Sequence, residues 1–508
     1  MNRISTLEAT PGERVSRREA LSITAITMAF TSLVALWALL APVFDAPDEP
    51  LHLNSAIRLT DGWDWPAPGD ARVTQAVLAA MAEASAPAGD RSTFEELAVE
   101  HPGYGGIDQM TQHPPFYYLY AAGILNLIDY ADVRADIAVI AVRLGGLLFA
   151  APLPILAWAS VRRLTQSPRA AIIGGAAVLA VPQLAHIMGS VSNDVPTITF
   201  SAVVIWVGIR LMTGDRSWFA TIGLGVALGL AAFTKGTALP LVAFAVLVVA
   251  VWPRSLSVPT RLVRLIVMLA CAGLGGWWWV KNIFVYGKIQ PPSNLYADNP
   301  FPEGSGPSVL YYGDQLWRRV TRSYWGNFGW LDHPMPAIVT DTLSVVAIAV
   351  VLGFAFRRNS SLLRTLVLAS VPLLYLMALL YQTWPTYVRT QLPAGLQGRY
   401  FFPALIALIA LSAIAWQRMV RPESRPAVGV GLLLSFAGIA ALGLAIEYNA
   451  VYSSPSDWAL RSPAGGPLTA VTIGVVALLA AGALSLAIRF IVARRPAIHR
   501  TVLSETET

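Results

Sequence analysis

Long apolar runs separated by short polar segments recur from one end of the chain to the other. Twelve runs stand out, at about residues 21–43, 139–161, 170–187, 196–213, 218–233, 237–252, 264–280, 337–356, 363–381, 400–416, 427–446 and 467–492. A helix needs about 20 apolar residues to cross a bilayer, and shorter runs suit helices that are tilted or enclosed by protein. The pattern predicts an all-α polytopic membrane protein with twelve transmembrane helices. The first run is too long for a signal-peptide core and lacks a small-x-small cleavage site, so it reads as a retained anchor. Segment 115–128 is also apolar, but counting it as a span would invert every later loop. It reads instead as a re-entrant or interfacial helix with aromatic anchors. No internal repeat is visible, so the inverted-repeat pattern of many secondary transporters is missing.

The polar segments are unequal. With the N-terminus in the cytoplasm, the tails 1–20 and 493–508 and a set of short loops lie inside. The outer face receives the long loops 44–138, 281–336, 382–399 and 447–466. On this division residues 21–416 form the main module and 417–492 a C-terminal helix pair. Composition agrees: of 508 residues, 55% are hydrophobic and only 13% charged, too few charges to cover a soluble surface. A disordered chain, a collagen and a nucleic-acid-binding module are excluded on the same ground. The single cysteine, Cys271, rules out an intrachain disulfide. Charge supports the orientation. On it, 22 of the 36 basic residues but only 7 of the 30 acids are cytoplasmic, so the net +6 divides into +15 inside and −9 outside, as the positive-inside rule requires. A bacterial plasma-membrane protein that works on its outer face would have this distribution.

Candidate chemistry gathers at the outer ends of the spans. The first span leads into Asp45-Ala46-Pro47-Asp48-Glu49-Pro50-Leu51-His52. Pro50 belongs in the first turn of a helix. That puts Asp48 and Glu49 at its cap and His52 one turn beyond Asp48. Such a carboxylate suits a general base or a metal ligand, and simple capping accounts for it equally well. Asp194 stands just before Pro196 in a similar setting, with the same two readings. His113, in His113-Pro114-Pro115-Phe116-Tyr117-Tyr118, suits a helix start as readily as chemistry. Lys235, in Thr234-Lys235-Gly236, is a phosphate ligand or a snorkelling lysine. Lys281 follows three tryptophans of an interfacial belt. The run Tyr324-Trp325-Gly326-Asn327-Phe328-Gly329-Trp330-Leu331-Asp332 has faces for sugar stacking or interfacial packing. Arg399 opens the 400–416 span, where a guanidinium binds phosphate bidentately.

Taken in order, Pro47-Asp48-Glu49-Pro50-x-His52, His113-Pro114-Pro115-x-Tyr117-Tyr118, Asn193-Asp194, Thr234-Lys235-Gly236, Trp325-Gly326-x-Phe328-Gly329-Trp330 and Gln397-Gly398-Arg399-Tyr400 resemble a large bacterial family of multi-pass proteins catalogued mostly as a domain of unknown function. That family is similar to the GT-C glycosyltransferases, which include dolichyl-phosphate-mannose protein mannosyltransferases and the aminoarabinose transferase of lipid A. The likeness covers about residues 40–405. It implies a GT-C fold, a polyprenyl-phosphate sugar donor, an envelope polysaccharide, lipoglycan or protein as acceptor, and transfer with inversion on the outer face. By that resemblance Asp48, Glu49 and Asp194 are catalytic, and Lys235, Lys281 and Arg399 hold the donor phosphate. His52, His113, Tyr117, Trp325, Trp330 and Asp332 would contact acceptor or sugar. A divalent cation, magnesium or manganese, would sit between Asp48 and Asp194. The large soluble C-terminal domain of many relatives has no counterpart, so acceptor recognition falls to the outer loops. The rival functions are a carrier or flippase for a lipid-linked glycan and a non-catalytic scaffold for envelope assembly.

Overall fold

The computed structural model describes residues 15–291, 297–302, 304–357, 361–462 and 465–493. The expected tails 1–20 and 493–508 lie largely outside them. Among the described residues the architecture is helical, with two antiparallel two-stranded ribbons, Arg72–Thr74 with Tyr104–Ile107 and Asn327–Phe328 with His333–Pro334. Nine helices among the described residues are long and apolar enough to cross a membrane: Arg17–Leu40, Ala135–Thr165, Asp194–Met212, Val258–Tyr286, Ala337–Ala355, Leu362–Thr390, Gly398–Met419, Arg425–Val451 and Gly466–Val492. The expected 170–187 run forms a pair bent by 69°, Pro168–Ala180 and Pro182–Met188. Pro182 lacks the N–H that would carry the first helix onward, so the break falls there. Counted as one span, the pair makes ten.

Twelve spans were expected from hydropathy. The two runs over 218–252 fold into helices of only 15 and 12 residues, Trp218–Ala232 and Pro240–Val251. Both are shorter than a bilayer is thick. The turn between them holds Lys235, and that turn is buried in protein. The expected interfacial segment is a 12-residue helix, Phe116–Leu127.

Among the described residues, three of the hydrophobic cores bear on the site. The largest joins Phe30, Trp37, Leu153, Ile198, Phe244, Phe328 and Phe402 from elements far apart in sequence. The long loop 44–138 has a core of its own, built on Leu53, Val77, Phe94, Leu97, Tyr118 and Leu125, and closes on Val139 of the following span. It is therefore a folded module rather than a tether. Its Arg91 pairs with Asp136 at 2.8 Å and donates to the Arg461 carbonyl at 2.8 Å, which ties it to the C-terminal helix pair. The third core packs Ile23, Ile26 and Ala29 of the first helix against Ala483, Ala487 and Ile491 of the last.

Candidate active site

The anchor helix ends at Leu40, and the chain turns into helix Glu49–Thr60. Asp48 precedes that helix in the left-handed region, φ 64°, which aspartate tolerates better than most residues. Its side chain does not cap the helix. Instead Asp48 Oδ2 accepts from Arg399 Nη2 at 2.7 Å, and Oδ1 from Gln109 Nε2 at 3.5 Å. Asp194 is the first residue of helix Asp194–Met212, whose N-cap is Asn193. Its Oδ1 accepts from Lys235 Nζ at 2.8 Å, and its Oδ2 lies 3.8 Å from Arg399 Nη1. Four segments thus deliver two carboxylates and two cations to one place. Asp48 is about a quarter exposed, whereas the other three are buried. Arg399 Nε and Nη1 and Asp194 Oδ2 are buried without a hydrogen bond, so the cluster retains binding capacity that the protein does not use.

Electrostatics follow from the geometry. Burial pushes the Asp48 carboxyl up, but Arg399, His52 and Lys235 together outweigh it and hold it below the ordinary carboxylate range. Burial pushes the Lys235 ammonium down, only partly offset by Asp194. The His52 imidazole is driven down to about 3, first by burial and then by Lys235, so it is neutral at physiological pH. Its Nδ1 is 3.0 Å from the Tyr118 hydroxyl, which also accepts from Asn193 Nδ2 at 3.3 Å. Tyr117 closes the ring edge-on to His52 at 6.2 Å.

The supporting residues come from the long loop 44–138. Buried Asp108 accepts from Asn54 Nδ2 at 2.7 Å, Ser55 Oγ at 2.8 Å and the Met110 N–H at 2.9 Å. It thereby fastens helix Glu49–Thr60 to the turn Gln109–Gln112, which carries Gln109 toward Asp48 and leads into His113. Burial drives the His113 imidazole well below its usual range, and its Nδ1 has no hydrogen-bond partner. Asp108 and Gln109 were not singled out from sequence, and Tyr118 and Asn193 stood in the quoted motifs without a role. An Asx turn at Asp108 before the Gln109–Gln112 helix was the available signal for the first two.

Other expected site residues fall elsewhere. Glu49 is fully buried and faces away from Arg399. It pairs bidentately with Arg143 at 2.8 and 2.6 Å and accepts from the Val191 N–H at 2.8 Å. Arg143 also donates to the carbonyls of Ala38, Ala41 and Pro42. This is a saturated structural pair, and it leaves Glu49 no free oxygen for chemistry. Lys281 is exposed on helix Val258–Tyr286 and lies 4.5 Å from the Trp278 ring centroid, outside the cluster. Trp325 Nε1 donates to Ser344 Oγ at 2.8 Å, and Trp330 Nε1 to the Phe44 carbonyl at 2.9 Å. Phe328 is packed against Trp37 at 4.8 Å. The aromatic run therefore serves packing first. Asp332 is exposed beside His333. A divalent cation between Asp48 and Asp194 does not fit well, because Arg399 and Lys235 already supply two fixed positive charges there.

A family model described as a predicted membrane protein, DUF2142, matches residues 31–408. No curated protein matches the chain in sequence. Among solved structures, ArnT from Cupriavidus metallidurans in the apo state is similar at 16% identity over 93% of this chain and 74% of that one, with a TM-score of 0.48. The same protein bound to undecaprenyl phosphate gives 17% identity over 92% and 74%, with a TM-score of 0.45. The Archaeoglobus fulgidus oligosaccharyltransferase in the apo form gives 12% over 84% and 56%, also at 0.45. The family match spans most of the chain, from the anchor helix through the Gly398-Arg399-Tyr400 turn, and the protein belongs to the DUF2142 family of predicted membrane proteins.

Proposed function

We propose that the protein is a GT-C glycosyltransferase that moves a sugar from a polyprenyl-phosphate donor to a hydroxyl of an envelope acceptor, on the outer face of the plasma membrane. The observation that carries this reading is the convergence of Asp48, Asp194, Lys235 and Arg399, with the spare N–H groups of Arg399 buried in their midst. The order of motifs in the sequence supports it. So does an apolar groove of about 1650 Å³ lined in part by Tyr324, Leu373, Phe401, Leu405 and Leu408. Phe401 lies two residues beyond Arg399, which is itself outside the lining; on this reading the lipid chain lies in the groove and its phosphate reaches past Phe401 to the guanidinium.

In the proposed step the acceptor oxygen attacks the anomeric carbon from the side opposite the phosphate. The carbon–oxygen bond to the phosphate breaks, the hydroxyl proton passes to Asp48, and the polyprenyl phosphate leaves. Lys235 and Arg399 stabilise the charge that grows on that phosphate. The resting pair with Arg399 keeps Asp48 ionised but weakly basic. A phosphate that draws Arg399 away strengthens the base when the donor is in place. Asp194 holds Lys235 in position at 2.8 Å. Neutral His52, with Tyr118 and Asn193, offers hydroxyl-binding groups for acceptor or sugar.

The test uses purified protein in proteoliposomes with no ion gradient, supplied at the outer face with polyprenyl-phosphate mannose or arabinose and an envelope extract. Labelled sugar should move to the acceptor with equal release of free polyprenyl phosphate. Passage of intact donor across the bilayer without phosphate release would establish a carrier instead.

A further inference from the structure

A second cluster lies apart from the one just described. Asp45 in the turn after the first helix, His333 in the short ribbon and Glu447 near the end of helix Arg425–Val451 each place one ligating atom within 4.8 Å of the other two. His333 Nδ1 is 2.9 Å from Glu447 Oε2, and Asp332 Oδ1 is 3.9 Å from His333 Nε2 on the far side of the ring. The Glu447 side chain is 0% exposed, yet its Oε1 has no hydrogen-bond partner; Asp45 Oδ2 is likewise buried and unpartnered. Buried carboxylate oxygens are rarely left so, because each loses its water without replacement. Arg143, a cation that acts on Asp45, is already committed to Glu49 and three carbonyls.

We propose that Asp45, His333 and Glu447 hold a divalent transition-metal ion, with zinc the best match. One imidazole and two carboxylates form a mixed N/O donor set. Such a set suits zinc with water as fourth ligand, whereas calcium and magnesium prefer oxygen alone. The ligands come from three separate parts of the chain, so the ion acts as a clip. It joins the turn three residues before Asp48, the aromatic loop and the C-terminal helix pair. Two hydrogen bonds mark the same junction: Trp330 Nε1 to the Phe44 carbonyl, and the Tyr452 hydroxyl to the Leu40 carbonyl at 2.8 Å. The ion is remote from proton transfer in this scheme, and its work is to hold the Asp48 turn.

The full-length untagged chain in detergent is stripped with chelator, incubated with zinc chloride, desalted and assayed for bound metal. Wild type should retain about one zinc per chain, and Asp48→Asn/Asp194→Asn should retain the same. His333→Ala and the near-isosteric Glu447→Gln should each lose tenfold or more in zinc affinity. Zinc should also raise the melting temperature of wild type but not that of His333→Ala. A wild type that holds no zinc and shows no thermal shift overturns the proposal. So does undiminished binding in His333→Ala and Glu447→Gln, or loss of binding only in the Asp48/Asp194 variant.

Discussion

Asp48 and Glu49 adjoin at the start of one helix, but their side chains diverge because the left-handed backbone at Asp48 sends its carboxylate toward Arg399 while Glu49 enters the helix facing Arg143. Removing one partner of a fully buried ion pair strands the other charge, at a cost of about 3–5 kcal/mol. Glu49→Ala should therefore lower thermal stability sharply in detergent, whereas Asp48→Asn should change it less, because Asp48 is itself part-solvated, the amide oxygen can still accept from Arg399, and Asp194 stays 3.8 Å from that guanidinium. Equal losses in thermal melts of the two variants would contradict this division of roles. Lys235 gives a pH signature. Burial, only partly opposed by Asp194, lowers its pKa, so its ammonium is lost at lower pH than that of a free lysine. The alkaline fall in kcat/KM should accordingly set in below the ordinary lysine value of about 10.4. Lys235→Arg should move that fall upward, and an unmoved profile would remove Lys235 from phosphate binding.

At the scale of elements, the site depends on how closely the Arg399 turn can approach the helix Val309–Trp325. A Cβ built on Gly398 would lie 2.3 Å from both the Tyr324 nitrogen and the Val320 carbonyl oxygen. These are backbone atoms that cannot step aside, so Gly398 is required by proximity. The Gly398 N–H also donates to Ser323 Oγ at 2.7 Å. Gly398→Ala should displace the turn and cut transfer activity by about 100-fold, the size of effect expected from misplacing a site group by roughly 1 Å. Donor binding should weaken in parallel, and wild-type kinetics in this variant would show that the turn tolerates the shift. The Gly-Arg-Tyr motif was visible in the sequence, but the reason for its glycine was not, because Val320 and Tyr324 lie some 75 residues earlier. The same distance effect hid the partner of Glu49, since Arg143 is 94 positions away. Local pattern did reveal the acids, the proline-started helices and the Lys235 turn. It did not show that the two runs over 218–252 form helices of only 15 and 12 residues, because hydropathy reads a short apolar helix and a long one alike.

For the whole molecule, hydropathy and charge partition already indicated a polytopic protein with its non-membrane mass on one side. The structure adds that the long loop 44–138 is a packed module which sets the Asp48 helix against Gln109, Tyr118 and Asn193. Late segments complete the site: Arg399 arrives from more than 350 residues beyond Asp48. The site therefore forms only when both halves of the chain are assembled, and no excised half should transfer sugar. The central claim is that Asp48 takes the acceptor proton while Lys235 and Arg399 hold the lipid phosphate. It is tested most directly by measuring Asp48→Asn in the same proteoliposomes, both for sugar transfer and for undecaprenyl phosphate binding. Loss of the base should lower turnover by about 10²–10⁴-fold and leave lipid-phosphate binding within a few-fold of wild type. Near-wild-type turnover with binding intact would contradict the account.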